Sequence, residues 1–202
     1  MEKKIIINIG RQFGGGGRAV AYELGKKLNI PVYDREIIAQ AAKDSGFSAE
    51  FFKERDEKKG FFSFSGIFTS GFGNTENYMS DSGIFKLQSH TIEKIAEQGS
   101  AIIVGRCADY ILRETENTLN VFLTSPLEVR AERIASRQGM SLEDAKAKAI
   151  EKDKQRAEYY NHYTFGEWGM AGTYDLCIDS SILGIEGTAD FIIDFATKAG
   201  KL

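Results

Sequence analysis

Four consecutive glycines stand between an apolar run and an amphipathic helical pattern near the start of this chain. The apolar run covers residues 5–9, and the glycines Gly14 to Gly17 are followed directly by Arg18. A glycine-rich turn between a buried strand and a helix N-terminus points several backbone N–H groups at one place, where the helix dipole adds partial positive charge. The segment therefore predicts a cradle for phosphate or another anion, and the alternative is a tight turn without a ligand.

The residues after the glycines differ from those of the usual phosphate-binding loop. That loop reads G-x-x-x-x-G-K-[ST], in which the lysine reaches the β- and γ-phosphates and the hydroxyl binds Mg²⁺. In one frame Gly16 and Gly17 replace these two residues, and in a frame shifted by one Gly17 and Arg18 replace them. Arg18 is the nearest cation that follows the glycines, and a guanidinium binds phosphate in a bidentate manner. We therefore expect Arg18 to substitute for the lysine.

Length and charge limit the class of protein. The chain has 202 residues and a formal net charge of -3, which favours one domain with a sizeable core and argues against a nucleic-acid or membrane-surface binder. Cys107 and Cys177 lie in separate apolar segments without metal-ligand spacing, so we expect buried free thiols and no metal site. No apolar run is long enough for a signal or a membrane span, and we expect a cytoplasmic protein.

Strand-like apolar runs alternate with helical patterns along the chain. The runs cover residues 4–9, 31–33, 101–104, 119–124 and 176–178. This alternation indicates βαβ units and a parallel sheet. The pattern therefore predicts an α/β sandwich.

Three helices carry start signals that can be located. The first spans about residues 18–28. The second is predicted to begin at Ser125 as N-cap with Pro126 at the first helical position, and the third opens at Ser141 and continues to about residue 160. The last two helices are expected to form a hairpin.

Residues 60–83 have an unusual composition, with five Gly, five Phe and five Ser and neither Lys nor Arg. The segment is too aromatic for an inert linker and too rich in glycine for a regular element. A loop that packs when a ligand arrives and a hydrophobic contact loop at a dimer interface are equally consistent with it.

Charged residues follow two of the predicted strands. Arg106 comes after the run 101–104, and Asp34 and Arg35 follow the run 31–33. The carboxyl ends of parallel strands meet at the edge where α/β folds bind ligands, which is also the edge of the glycine loop. We therefore predict a pocket for the phosphate of an acceptor molecule, with a structural salt bridge as the alternative.

The predicted hairpin carries a second group of cations at spacings of three or four residues: Arg130, Arg133, Arg137, Lys148, Lys152 and Arg156. Arginines that a closing helix pair brings to a transferring phosphoryl group stabilise its charge and exclude water. A solvated face with intrahelical ion pairs is the alternative. We favour Arg133, Arg137 and Arg156 as functional residues.

Five segments follow one another in order: residues 10–18 (GRQFGGGGR), 32–35 (VYDR), 103–109 (IVGRCAD), 153–160 (DKQRAEYY) and 174–179 (YDLCID). As a set they resemble the cytidylate kinase-like family, within the P-loop nucleoside monophosphate kinases. The resemblance extends over nearly the whole chain. It implies a single domain, 1–202, built as a three-layer α/β/α sandwich with a mostly parallel five-stranded sheet. It also implies an acceptor-binding insertion at about residues 35–98 and an arginine-bearing lid at about 137–160.

The resemblance also assigns roles to residues. It implies that Gly14, Gly15, Gly16, Gly17 and Arg18 bind the donor phosphates, and we expect the preceding Arg11, Gln12 and Phe13 to bind them as well. The acceptor is expected to contact Asp34, Arg35, Arg106, Asp109 and Asp153. The groups expected to act in catalysis are Arg18, Arg133, Arg137, Arg156 and Asp34.

These assignments predict transfer of the γ-phosphoryl group of ATP, together with Mg²⁺, to a small phosphorylated acceptor, a nucleoside monophosphate such as CMP. Two alternatives stay open: a degenerate nucleotide- or anion-binding protein that acts through a partner, and a kinase for a non-nucleotide small molecule. The expected partners are small-molecule nucleotides and a second copy in a homodimer, with neither nucleic acid nor membrane.

Overall fold

A computed structural model describes residues 4–44 and 78–202. The part of the glycine- and phenylalanine-rich segment at 60–77 lies outside the described residues. Its last residues, 78–83, form the start of a long helix.

Five parallel strands form one sheet in the order β2-β3-β1-β4-β5. They are β1 (Ile6–Arg11), β2 (Val32–Tyr33), β3 (Ala101–Val104), β4 (Thr118–Thr124) and β5 (Leu176–Asp179). The predicted parallel five-stranded sheet is thus confirmed. β1 ends two residues later than its apolar run because Gly10 and Arg11 continue the pairing with Phe122 and Leu123 of β4.

Helices connect the strands and cover both faces of the sheet. They are α1 (Gly17–Leu28), α2 (Arg35–Asp44), α3 (Tyr78–Gln98), α4 (Ala108–Ile111), α5 (Leu127–Gln138), α6 (Leu142–Thr164) and α7 (Ser180–Lys198), with a 3₁₀ turn at Ala171–Thr173. Among residues 4–44 and 78–202, no helix is long and apolar enough to cross a membrane.

The core is divided by the central strand, whose consecutive isoleucines point to opposite faces. Ile7 packs in one cluster with Leu24 of α1 and Ile192 of α7. Ile6 packs in another with Ile92 of α3 and Ile103 of β3. One apolar layer on each side of the sheet makes the α/β/α sandwich that the sequence predicts.

Two local predictions are wrong. Pro126, not Ser125, is the N-cap of α5, which begins at Leu127. Pro126 has extended backbone angles, φ −52° and ψ 145°. The Ser125 hydroxyl has no hydrogen-bond partner among the described residues. Cys107 is buried as expected, but Cys177 is exposed, because it lies on the edge strand β5.

Candidate active site

The glycine-rich loop joins the end of β1 to the start of α1, and three hydrogen bonds fix it to its surroundings. The backbone N–H of Gln12 donates to the carbonyl of Leu123 at 3.0 Å. The side-chain oxygen of Gln12 accepts from the N–H of Ser125 at 3.1 Å. The buried hydroxyl of Ser180 donates to the carbonyl of Gly15 at 2.6 Å. The loop is therefore held between β4 and the N-terminus of α7.

The start of α1 selects one of the two possible frames of the loop. Gly16 is the N-cap, and Gly17 and Arg18 are the first two residues of the helix. In the P-loop motif the lysine and the Ser or Thr open the helix after the last glycine. Gly17 therefore stands in the place of the lysine, and Arg18 stands in the place of the hydroxyl residue.

Gly14 and Gly16 have left-handed backbones with φ of +81° and +77°. A Cβ on Gly14 would lie 2.9 Å from the carbonyl oxygen of Arg130 and 2.8 Å from Cδ1 of Ile134. A Cβ on Gly16 would lie 2.7 Å from Cδ1 of Ile185. Both positions thus need glycine for conformation and for space.

Gly16→Ala is expected to lower the free energy of unfolding by about 1–2 kcal/mol through backbone strain and also to weaken ATP binding. The added methyl would lie 3.5 Å from Nη1 of Arg133, at the mouth of the loop. Gly139→Ala is the matched control, since Gly139 has φ +66° but nothing within 4 Å of its Cβ position. Urea unfolding and ATP calorimetry on both variants separate the effects. Equal ATP affinities in the two variants would contradict the steric part of the prediction.

A buried ion pair holds the peptide of Phe13 at the start of the loop. Asp153 accepts from the N–H of Phe13 at 2.6 Å and from Nη1 of Arg130 at 2.6 Å. The same Nη1 donates to the Phe13 carbonyl at 3.1 Å, and Nε of Arg130 donates to the carbonyl of Ser125 at 2.9 Å. Helices α5 and α6 therefore set the shape of the loop. Asp153 was expected at the acceptor, and the structure places its carboxylate against the peptide of Phe13 in the glycine loop.

Two further arginines of the hairpin approach the loop. Nη1 of Arg133 is buried and has no hydrogen-bond partner among the described residues. Arg156 donates to the carbonyl of Arg11 at 2.9 Å, and its guanidinium lies 5.3 Å from the centre of the Phe13 ring. Burial lowers the pKa of Arg156 to about 10, so the group stays protonated at neutral pH. The loop thus faces fixed positive charge from α5 and α6.

Other cations of the hairpin point elsewhere. Arg137 is exposed in the last turn of α5. Lys148 donates to Gln138 and Lys152 donates to Gln155. The structure therefore brings Arg133 and Arg156 of the three favoured arginines to the loop, together with Arg130, and leaves Arg137 at the surface.

Asp34 and Arg18 contact each other beside the loop. One oxygen of Asp34 accepts from the N–H groups of Glu36 and Ile37 at the start of α2. Its other oxygen accepts from the Tyr22 hydroxyl at 3.1 Å and lies 2.8 Å from Nη2 of Arg18. The Arg18 side chain is 59% exposed and also pairs with Glu36. Arg18 is therefore directed at Asp34 and at Glu36 of α2, and its role at the phosphates stays a prediction.

The end of β3 forms the second part of the site. Gly105, Arg106 and Cys107 all have left-handed backbones, with φ of 73°, 64° and 55°. The buried Gln88 donates to the carbonyl of Arg106 at 3.3 Å and to the hydroxyl of Tyr159 at 3.0 Å. This turn keeps the Arg106 guanidinium 5.8 Å from the centre of the Tyr159 ring.

Arg35 and Asp109 lie close to this turn. Burial, and then the positive charge of Arg106, lower the pKa of Arg35. Asp109 accepts from the hydroxyl of Tyr160 at 2.7 Å, and burial raises the pKa of its carboxyl. Arg35 and Arg106 make no ion pair with a carboxylate of residues 4–44 or 78–202. Two neighbouring cations that have no ion-pair partner in the described ranges are suited to an anionic ligand.

The residues that sequence reasoning missed act through contacts distant in the chain. Arg130 had a signal, because it is three residues before Arg133 on the same helix face. Tyr159 lies in the segment 153–160 that carries the family resemblance, but the sequence assigned it no role. No sequence signal marked Ser180 or Gln88, and the hydroxyl of Ser180 meets a loop 165 residues away.

The described residues do not fit a dedicated Mg²⁺ site. Arg18 stands in the place of the hydroxyl ligand, and the carboxylates of Asp34 and Asp153 are already occupied by N–H groups and arginines. Within the described ranges, no group of three or more His, Cys, Asp or Glu residues could hold a metal ion.

The family model of the cytidylate kinase-like family matches residues 6–182 of this chain. The chain belongs to that family. Its matched region begins at β1 and ends in α7, and thus includes the glycine loop, the β3 turn and the helix hairpin.

Individual relatives agree with this membership in the cytidylate kinase-like family. The cytidylate kinase of Methanopyrus kandleri is 27% identical over 186 residues, which cover 88% of this chain and 85% of that protein. The cytidylate kinase of Methanocaldococcus jannaschii is 28% identical over 191 residues, which cover 93% of this chain and 95% of that protein.

Solved structures show the same fold. The crystal structure of an uncharacterized protein from Eubacterium ventriosum has a TM-score of 0.74 at 30% identity and covers 95% of this chain and 98% of that one. Shikimate kinase from Bacteroides thetaiotaomicron has a TM-score of 0.55 at 16% identity over 96% of this chain and 98% of that one. The fold of this family member is thus that of the P-loop kinases.

Proposed function

We propose that this protein transfers the γ-phosphoryl group of ATP to a nucleoside monophosphate, with CMP as the first candidate. One observation carries the donor side of the proposal. The buried Nη1 of Arg133 has no partner among the described residues and lies 3.5 Å from the Cβ position of Gly16. A buried guanidinium nitrogen that lacks a hydrogen bond costs about 1–3 kcal/mol, and a phosphate oxygen in the loop would satisfy it.

On the donor side, the loop amides and the N-terminus of α1 would hold the terminal phosphates of ATP. Arg133 from α5 would bind the γ-phosphate as negative charge spreads over its oxygens during transfer. Arg156 would add positive charge from α6, and its bond to the Arg11 carbonyl keeps that helix against the loop. The catalytic contribution of these residues would be positioning and charge stabilisation.

On the acceptor side, Arg106 and Arg35 would bind the monophosphate at the carboxyl end of β3 and β2. The fixed left-handed turn at Arg106 and the bond from Gln88 restrict where its guanidinium can lie. CMP is favoured over other acceptors because the relatives that cover most of the chain are named cytidylate kinases.

A coupled assay with ATP and Mg²⁺ tests this proposal. The panel contains CMP, UMP, AMP, GMP, shikimate and gluconate, and phosphorylated products are identified by mass spectrometry. We expect transfer to at least one pyrimidine monophosphate. Background turnover with every acceptor would overturn the proposal. Transfer to shikimate or gluconate alone would overturn the nucleoside monophosphate as the acceptor.

A second function is favoured by the residues that open α1. Because Gly17 and Arg18 stand where the lysine and the hydroxyl are usual, a protein that binds nucleotide without transfer and acts through a partner is the rival. Calorimetry with ATP distinguishes the two functions. Binding that persists while every acceptor gives background turnover would favour the rival.

Arg106→Ala is expected to raise the KM for the nucleoside monophosphate about 10- to 100-fold and to leave the KM for ATP nearly unchanged. The reason is the loss of a charge-assisted contact to the acceptor phosphate, which is worth about 1.5–3 kcal/mol. Initial rates with either substrate varied check the prediction. Arg106→Lys serves as the comparison, since it keeps the charge without the planar fork. An equal rise of both KM values would contradict an acceptor role.

A further inference from the structure

Arg11, the last residue of β1, lies in an unusual position over the glycine loop. A Cβ on Gly17 would be 2.6 Å from Cγ and 2.7 Å from Cβ of Arg11. The stem of Arg11 thus occupies the space in which a side chain at position 17 would begin. Gly17 is the residue that stands where the usual loop has its lysine.

The other end of Arg11 reaches the acceptor side. Its guanidinium packs against the backbone of Gly105, and a Cβ on Gly105 would overlap Nη1 of Arg11. Gly105 directly precedes Arg106 at the end of β3. The Arg11 side chain therefore spans from the start of α1 to the turn that presents Arg106.

The surroundings of this guanidinium are unusual for a half-buried cation. It makes no hydrogen bond or ion pair with a side chain in residues 4–44 or 78–202. Burial, followed by the positive charges of Arg156 and Arg106, lowers the pKa of Arg11 well below its usual value, and the carboxylates of Asp34 and Asp153 only partly oppose this. A cation in such a place is stabilised most by an anion bound among the arginines.

We propose that Arg11 supplies the cation that other loops of this type take from the lysine at the position of Gly17. Its guanidinium would bind the phosphoryl group between the donor loop and Arg106. This inference rests on the proposed function for the identity of that group. It also explains why positions 17 and 105 are glycine, because a side chain at either position would displace Arg11.

The inference assigns to Arg11 the part that the sequence suggested for Arg18. The Arg18 side chain is more than half exposed and pairs with Asp34 and Glu36, so its charge is already compensated. Arg11 is half-buried and lies between Gly17 of the glycine loop and Gly105 of the β3 turn.

The chemistry that Arg11 would assist needs no proton from it. An oxygen of the acceptor phosphate forms a bond to the γ-phosphorus, and the bond from that phosphorus to the β–γ bridging oxygen breaks. The products are ADP and the acceptor diphosphate. Arg11 stays protonated and stabilises the charge on the transferred group.

Titration calorimetry with inorganic tripolyphosphate tests Arg11 without relying on a nucleobase or an acceptor. We expect Arg11→Gly to lower the affinity for tripolyphosphate about 10- to 100-fold. In the double variant Arg11→Gly/Gly17→Lys the freed space admits a lysine. We expect this variant to bind tripolyphosphate at least tenfold more tightly than Arg11→Gly. Arg18→Ala removes one neighbouring guanidinium and is expected to lower the affinity for tripolyphosphate less than Arg11→Gly does.

Arg11→Met keeps the apolar stem and removes the charge, so it replaces Arg11→Gly if that variant unfolds. Tripolyphosphate affinity within about twofold of the wild type in either folded variant would overturn the inference. A wild-type protein that does not bind tripolyphosphate would overturn it as well. Wild-type binding that depends on Arg11, combined with no transfer to any acceptor, would leave the cation site supported and the kinase function refuted.

Discussion

Replacing Arg133 by alanine is expected to lower kcat for phosphoryl transfer about 10³-fold, with little change in the KM for the acceptor. Arginines that stabilise a transferring phosphoryl group contribute about 10³ or more to kcat. The buried Nη1 of Arg133 has no partner in the described part of the chain, so the unliganded protein should lose little stability when the guanidinium is removed. Steady-state kinetics with saturating ATP and CMP, together with thermal unfolding, check both expectations.

Arg113→Ala is the control for removing an arginine from the surface. The Nε atom of Arg113 lies 3.8 Å from Oε1 of Glu114, and the Arg113 side chain is 52% exposed. Arg113 belongs to none of the proposed contacts with substrate. Arg133→Lys is expected to recover part of the rate, because it keeps the charge but not the geometry. A fall in kcat of less than tenfold in Arg133→Ala would contradict the role of Arg133 at the transferred group.

Asp153→Ala is expected to lower the free energy of unfolding by about 3–5 kcal/mol, because it leaves the buried Arg130 without its counter-ion. Side-chain exposure at the pair is 8% for Arg130 and 14% for Asp153. For a chain of this size the melting temperature should fall on the order of 10 °C. ATP affinity should fall too, since the N–H of Phe13 loses its acceptor and the loop loses its fixed shape.

Two further variants separate the charge from the hydrogen bond. Arg130→Met/Asp153→Leu replaces the pair by apolar side chains and is expected to regain much of the stability but not the ATP affinity. Asp153→Asn keeps an oxygen that can accept from Phe13 and is expected to be intermediate in both measurements. A melting temperature for Asp153→Ala within about 2 °C of the wild type would show that the pair adds little.

Most of the fold could be predicted from local patterns. Runs of isoleucine and valine such as Ala101–Val104 are buried on both faces of a parallel sheet, so their hydropathy alone identifies them. The Ser141 hydroxyl accepts from the N–H of Asp144 as a cap, as its spacing predicts. The predicted start of α5 differs by one residue, because Pro126, expected at the first helical position, has an extended backbone with ψ 145°.

The candidate site was predicted in outline but not in its contacts. Patterns at the carboxyl ends of strands correctly pointed to the glycine loop and to Arg106 as parts of one edge. They did not reveal that Asp153 holds Phe13 or that Gln88 holds the turn at Arg106. These pairs are separated by 140 and 18 residues, and their side chains meet only after the helices have packed.

The amino-acid sequence by itself determined the parallel α/β sandwich, the glycine loop and membership in a kinase family, since hydrophobic period and short motifs are local properties. The tertiary structure decided where the side chain of each cation lies and what it contacts. Arg18 follows the glycines in sequence, but it turns outward to Asp34 and Glu36. Arg11 at the end of β1 reaches over Gly17 to Gly105, because β1 and β3 are neighbours in the sheet and Gly105 directly follows β3.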